Sequence, residues 1–225
     1  MSINRITFSG ADESVEVEDL LRIQANYYHE PIQIEWGILL SEDRMGTPRY
    51  PGQGWLLEVE QIFPEFLSLA WHICGSEKYV DQVMFYSQFG EDRVQLNVAV
   101  RDSKEKLNTV SSILTKKTIV PFNLANTELI KLIQTRGLEC PYLYDSSGGK
   151  GKSPVKWLAP LPNHYCGYAG GLGPDNIVEE AKKINEVSGD TAVWIDMETG
   201  VRTDEKFDPY KVETVINAVL KLKGQ

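Results

Sequence analysis

Eight short β-rich runs alternate with helical patterns along this chain, and that alternation restricts its fold more than any other feature. The runs are Asn4–Ser9, Ile32–Leu40, Phe66–Ile73, Arg93–Val98, Thr118–Phe122, Cys140–Asp145, Tyr165–Ala169 and Thr191–Asp196. Several are mainly apolar, as expected for strands covered on both faces. Helical spacing fills most of the gaps. After Asp175, a candidate cap, Ile177, Ala181 and Ile184 share one stripe. The last segment opens Asp208-Pro209, a cap followed by proline in the first turn, and runs Val212, Val215, Ile216, Val219, Leu222. Asn126 is placed to cap a helix over Leu129–Arg136 that Gly137 ends. Weaker helical patterns lie at Val17–Tyr28, Trp55–Phe63, Glu77–Tyr86 and Ser103–Leu114, while the proline-rich gap Lys152–Leu161 allows one short turn at most.

Eight β/α units in 225 residues match a (β/α)8 TIM barrel. No repeat, low-complexity tract or interdomain linker is visible, so one domain over residues 1–225 is expected. An open doubly wound sheet is the runner-up; its dinucleotide form needs G-x-G-x-x-G after the first strand, where this chain reads SGADES.

Composition sets the outer limits. Hydrophobic residues make up 42% of the chain, enough for a sizeable core, and the formal net charge is −9. A nucleic-acid protein carries a basic footprint, so nucleic acid is not an expected partner. No apolar run approaches membrane length and the first residues turn acidic at once, so a soluble, cytoplasmic setting without membrane association is expected. Cys74, Cys140 and Cys166 are odd in number and widely spaced, which points to neither a disulfide framework nor a zinc knuckle. His29, His72 and His164 are scattered, and no metal constellation is visible.

The stretch 145–153, DSSGGKGKS, ends like a nucleotide-binding P-loop. Counting back from Gly151, the first glycine of G-x-x-x-x-G-K-[ST] is replaced by Ser146, and Pro154, Pro160 and Pro162 leave no room for the phosphate-facing helix. It reads instead as a glycine- and lysine-rich lid after strand six.

Barrel active sites lie at the C-terminal ends of the strands, and phosphate sites often use the loops after strands seven and eight. Ser9, Arg49, His72, Cys74, Asn97 and Asp145 fall at those ends, as do Gly170, Gly171 and the run from Asp196 to Gly200. The stretches AGGLGPDN and DMETGV place glycine where backbone amides approach an oxyanion. Glu35, within strand two, is a carboxylate that is costly to bury unless paired; it is either a base or the partner of a barrel lysine or arginine. His72 and Cys74 are further candidate bases, against the commoner outcome of a core-edge histidine and an inert buried thiol.

At these residues the chain resembles the phosphoribosylanthranilate isomerase family of tryptophan biosynthesis. Ala169-Gly170-Gly171-Leu172-Gly173-Pro174-Asp175-Asn176 resembles its A-G-G-L-x-P-x-N phosphate loop. Leu143-Tyr144-Asp145-Ser146, followed by Gly148-Gly149-Lys150-Gly151-Lys152, is similar to L-L-D-S followed by G-G-T-G-K. Asp196-Met197-Glu198-Thr199-Gly200-Val201 resembles D-V-S-S-G-V, Thr47-Pro48-Arg49-Tyr50 resembles S-P-R-Y, and Gln95-Leu96 corresponds to the start of Q-L-H-G. The resemblance implies an Amadori rearrangement of a phosphorylated aminoribose, with no cofactor, because proton transfer suffices. It implies Asp145 as the acid that protonates the ring oxygen and Ser9 at the position of the family's catalytic cysteine. It also implies Arg49 and Asp196 as substrate-binding residues, and Gly170, Gly171, Leu172, Gly173, Thr199 and Gly200 around the phosphate.

The chain departs from the family pattern at Ser9, at Asn97, at Glu198 beside the expected phosphate, and at Glu35. A serine hydroxyl is too weakly acidic to supply an anionic base near neutral pH without a partner. Two other readings therefore stand beside the isomerase: a diverged barrel acting on another phosphorylated ligand, and a non-catalytic binding module. The oligomeric state is left open by the sequence.

Overall fold

The computed structural model describes residues 1–62, 66–75, 79–88, 92–97, 104–145 and 151–224. Eight parallel strands close into a barrel in chain order: β1 (Ile3–Ser9), β2 (Gln33–Leu40), β3 (Leu69–Cys74), β4 (Arg93–Asn97), β5 (Thr118–Phe122), β6 (Tyr142–Asp145), β7 (Cys166–Ala169) and β8 (Val193–Met197). The pairing of β1 with β8 closes the sheet and rules out the open doubly wound alternative. Helices α1 (Val17–Asn26), α2 (Gln53–Ile62), α3 (Tyr79–Tyr86), α4 (Lys104–Ile113), α5 (Thr127–Arg136), α6 (Ile177–Ser188) and α7 (Pro209–Lys223) follow the strands, and the described residues between β6 and β7 form turns only. This is the (β/α)8 TIM barrel that the alternation predicts. Each expected strand coincides with an observed one, with described ends displaced by up to three residues. Phe63, Glu77, Val98 and Ser103, at the ends of expected elements, lie outside the described residues, as does the 146–150 part of the expected lid.

The helix ends follow local chemistry with two corrections. Asp208 Oδ1 accepts from the amides of Tyr210 at 3.0 Å and Lys211 at 3.2 Å, with Pro209 in the first turn of α7, and Gly137 ends α5 with φ of 62°. Asn126 precedes α5 but does not cap it: its side chain donates to Pro121 O at 3.2 Å, and Asn123 caps the preceding short turn. Asp175 is not the cap of α6 either; Asn176 stands there, with its side chain turned back into the preceding loop.

Side chains alternate across each strand. The outward set, including Ile6, Phe8, Trp36, Ile38 and Ile195, is fully buried in one large apolar cluster with inward residues of the helices such as Val17, Ile184 and Val215. The barrel interior is different. Ile119, Leu143 and Trp194 form a separate small cluster, and the indole fits because β7 supplies Gly167, where a Cβ would stand 2.1 Å from a Trp194 ring carbon. Below the mouth the interior is ionic. Glu35 accepts from Arg93 Nε at 2.8 Å, from Arg5 Nη1 at 2.9 Å and from Thr7 Oγ1 at 2.7 Å, and the Arg93 guanidinium lies 4.4 Å over the Trp194 ring. Burial alone would raise the Glu35 pKa; Arg93, with Arg5 and Thr7, outweighs it and holds the carboxylate below its ordinary range.

Candidate functional site

A cavity of about 940 Å³ opens at the C-terminal ends of the strands. All ten expected site residues line it: Ser9, Arg49, Asp145, Asp196, Gly170, Gly171, Leu172, Gly173, Thr199 and Gly200. His72, Cys74 and Asn97 line it too, while Glu35 does not. Glu35 is therefore not a replacement base; it is the buried counterion of Arg93.

The floor is built by register. Thr7 on β1 is level with Asp196 on β8, so Ser9 projects from the next inward position, and its Oγ donates to Asp196 Oδ1 at 2.8 Å. Gly37 on β2 makes room, since a Cβ there would lie 2.3 Å from Ser9 Oγ. Across β7, Asp145 is level with Ala169 and Ala169 with Asp196. Two strand spacings of about 4.8 Å place these two carboxylate-bearing backbones roughly 10 Å apart. The alanine between them leaves the floor open.

Their environments differ. Asp145 is partly exposed, whereas Asp196 is buried, and burial pushes its pKa up to about 7 although the Ser9 hydroxyl lowers it. His72 Nε2 stands 4.0 Å from Asp196 Oδ2 and has no hydrogen-bond partner among the described residues; Nδ1 faces Gln95 Nε2 at 3.4 Å. Burial pushes the His72 pKa down to about 4, so the ring is neutral near pH 7 and a weak base. Burial pushes Cys74 up to about 11, which keeps it a thiol. All three cysteines are free and buried.

The loops after β7 and β8 meet backbone to backbone. A Cβ on Gly200 would stand 2.0 Å from Leu172 O, and one on Gly173 would stand 3.1 Å from Gly200 Cα. Gly170 and Gly171 take φ of 118° and 64° against the main chain of Lys152 and Ser153, a conformation and proximity that favour glycine. Asn176 braces this turn, accepting from the Gly173 amide at 3.0 Å and donating to Gly171 O at 2.8 Å. The Gly173 amide is thereby engaged. The amides of Gly171 and Leu172 make no hydrogen bond among the described residues.

Arg49 reaches the same mouth. It pairs with Glu198 at 2.8 Å and Glu205 at 3.4 Å, and its backbone, at φ of 78°, is held by its N–H donating to Asp12 Oδ2 at 2.6 Å. Arg202 Nη2 binds the same Asp12 oxygen at 2.7 Å. Asp12 and Arg202 thus tie together the loops after β1, β2 and β8. Sequence reasoning missed both; the only local hint is the Asp12-x-Ser14 spacing, in which the aspartate accepts from the Ser14 amide at 3.0 Å.

Among the described residues no group of three or more His, Cys, Asp or Glu is arranged to hold a metal, and no helix is long and apolar enough to cross a membrane.

Residues 79–218 match a family model described as N-(5'phosphoribosyl)anthranilate (PRA) isomerase. Among solved structures, the phosphoribosyl anthranilate isomerase of Thermus thermophilus superposes with a TM-score of 0.61 at 16% identity, covering 99% of this chain and 100% of that one. A phosphoribosyl anthranilate isomerase in complex with reduced 1-(o-carboxyphenylamino)-1-deoxyribulose 5-phosphate gives 0.60 at 17% identity, with 99% and 100% covered. The 3-hexulose-6-phosphate synthase of Salmonella typhimurium gives 0.55 at 12% identity, with 98% and 99% covered. At these identities the structural likeness is one of fold. No curated protein sequence matches the chain.

Proposed function

Because the chain belongs to the N-(5'-phosphoribosyl)anthranilate isomerase family, we propose that it binds a phosphorylated aminoribose at the barrel mouth and isomerises it to the aminoketose by acid–base catalysis. The turn Gly170–Gly173 and Thr199-Gly200 hold the 5'-phosphate. Asp145 protonates the ring oxygen as the ring opens. The proton on the adjacent sugar carbon leaves toward the floor formed by Ser9 and Asp196, and Arg49 faces the anionic end of the aglycone. The chemistry requires proton transfer alone.

What supports this reading most is the backbone contact of Leu172-Gly173 with Gly200, with the Gly171 and Leu172 amides unengaged among the described residues, in one cavity with Asp145 and Ser9. Glu198 is compatible with a phosphate there because its carboxylate is paired with Arg49 at 2.8 Å. The test is turnover of the anthranilate aminoribose phosphate by purified protein, abolished in Asp145→Asn. Absence of turnover at every protein concentration would sink the isomerase.

One observation favours the second reading, a diverged barrel for another phosphorylated ligand: Ser9 replaces the expected base, and Arg49 already has two carboxylate partners. A phosphosugar that stabilises the protein while the anthranilate compound does not would favour it. Ligand at one hundred times its Kd stabilises by about 2.7 kcal/mol. No shift from any phosphosugar would favour a non-catalytic module.

A further inference from the structure

We propose that Asp196 is the group that accepts the proton from the sugar's C2 in this chain, and that the Ser9 hydroxyl orients its carboxylate. The inference rests on the isomerase reading above and names the base that reading lacks.

Geometry carries it. Ser9 Oγ gives its hydrogen to Asp196 Oδ1 at 2.8 Å, so the hydroxyl is a donor rather than a nucleophile or base. That bond fixes the carboxylate and leaves Oδ2 to the cavity. No donor among the described residues reaches Oδ2; His72 Nε2, 4.0 Å away, is the polar atom beside it. Gly37 leaves space for Ser9 to hold this pose. The other candidates fail on placement or chemistry. Glu35 is buried against Arg93 outside the cavity, His72 is a weak base in its buried site, and Cys74 is a protonated thiol.

The charges around Asp196 suit the role. Glu198 begins the loop that follows its strand, Glu35 and Arg93 lie beneath on β2 and β4, neutral His72 faces it from β3, and Asp145 stands beyond Ala169. Burial, with Glu198 and Glu35 and against Ser9 and Arg93, pushes the carboxyl up to about 7, where it can take a proton and return it near neutral pH.

The step balances without a redox partner. Asp145 gives a proton to the ring oxygen as the C1–O bond breaks and the nitrogen lone pair forms C1=N. Asp196 takes the C2 proton; the C–H electron pair forms C1=C2, and the C=N pair returns to nitrogen. The enaminol becomes the aminoketone by loss of its O2 proton and gain of one at C1.

Ribose 5-phosphate in D2O tests this apart from the aglycone. Deuterium entry at C2 is followed by NMR, and binding by thermal shift. Wild type should exchange. Asp196→Asn should keep the ligand-induced shift and exchange about 100-fold more slowly. Ser9→Ala should retain reduced exchange, with the rising limb of its pH profile moved up, because a hydrogen bond favouring the carboxylate is lost. A purely structural role for Asp196 would instead remove the thermal shift along with exchange. If Asp196→Asn does not fold, Asp196→Glu should exchange and Asp196→Ala should not. Undiminished exchange in Asp196→Asn overturns the proposal, as does exchange lost as fully in Ser9→Ala. Stabilisation of wild type without any exchange overturns this inference alone. No stabilisation overturns the phosphosugar reading and this inference with it.

Discussion

Arg49 and Glu198, 149 positions apart, form an ion pair of 2.8 Å at the cavity mouth. It places a cation beside the carboxylate that replaces the first serine of the loop after β8. Both side chains are partly exposed, so the pair stabilises the fold by no more than about 1 kcal/mol. Its expected effect is on the proposed phosphosugar. Arg49→Ala leaves Glu198 uncompensated and should weaken phosphosugar binding about tenfold, or ~1.4 kcal/mol. Glu198→Gln should bind as well as wild type or better, and the double variant should recover part of the loss. Isothermal titration checks this; equal weakening by both single variants would contradict it.

Asp196 destabilises the fold when it is ionised. Its folded pKa is raised from about 4 to about 7, so across that window the folded chain keeps a proton that the unfolded chain releases. The resulting stability is fully present below about pH 4 and is lost as pH rises through 7. Asp196→Asn removes the buried charge and should raise stability at pH 8 by at most on the order of 4 kcal/mol, with no gain at pH 4. Thermal melts of both proteins at the two pH values decide it.

Glu35 has the opposite sign. Its pKa is lowered in the fold, so its contribution is present above the ordinary carboxylate range and is lost as pH falls through the folded value. Glu35→Gln leaves the buried Arg93 without its carboxylate and should cost about 3–5 kcal/mol, a fall in Tm of roughly 10 °C. Replacing both residues with apolar ones of similar volume should cost much less. Because Glu35 does not line the cavity, folded Glu35→Gln should still be stabilised by phosphosugar.

Gly200 meets a neighbour's main chain, so a side chain there cannot be absorbed by rotation. Gly200→Ala would put Cβ 2.0 Å from Leu172 O and should open the two glycine loops, costing about 1–3 kcal/mol and most phosphate affinity. Gly54, inside α2 with open space around its missing Cβ, is the control: Gly54→Ala should gain up to about 1 kcal/mol and leave binding unchanged. Denaturant melts with and without inorganic phosphate compare the two.

The glycine loops could be read in advance because their demand is local: positive φ at Gly170 and Gly171 favours glycine, and the order of motifs places them at strand ends. The starts of α5 and α6 show the opposite case, since neither is capped by the side chain at its N-cap position. Asn126 and Asn176 sit where a cap would, but their amides find better partners in Pro121 O and in the turn at Gly171 and Gly173. Nearby carbonyls and amides, invisible in a linear pattern, decide which bond a short polar side chain makes.

Strand–helix alternation was determined by the sequence alone, because hydrophobic periodicity is a property of neighbours along the chain; the pairing of β1 with β8 decided that the sheet closes. The tertiary structure decided the pairings. Ser9 meets Asp196 187 positions away, Glu35 meets Arg93 across the barrel, and Arg49 meets Glu198 at the mouth. Those distances set the local field and the burial of each charge, and hence which carboxyl holds a proton near neutral pH. Residue types and spacings supply Asp145, the Ser9 hydroxyl and the glycines; only closure of the barrel places Asp196 behind Ser9.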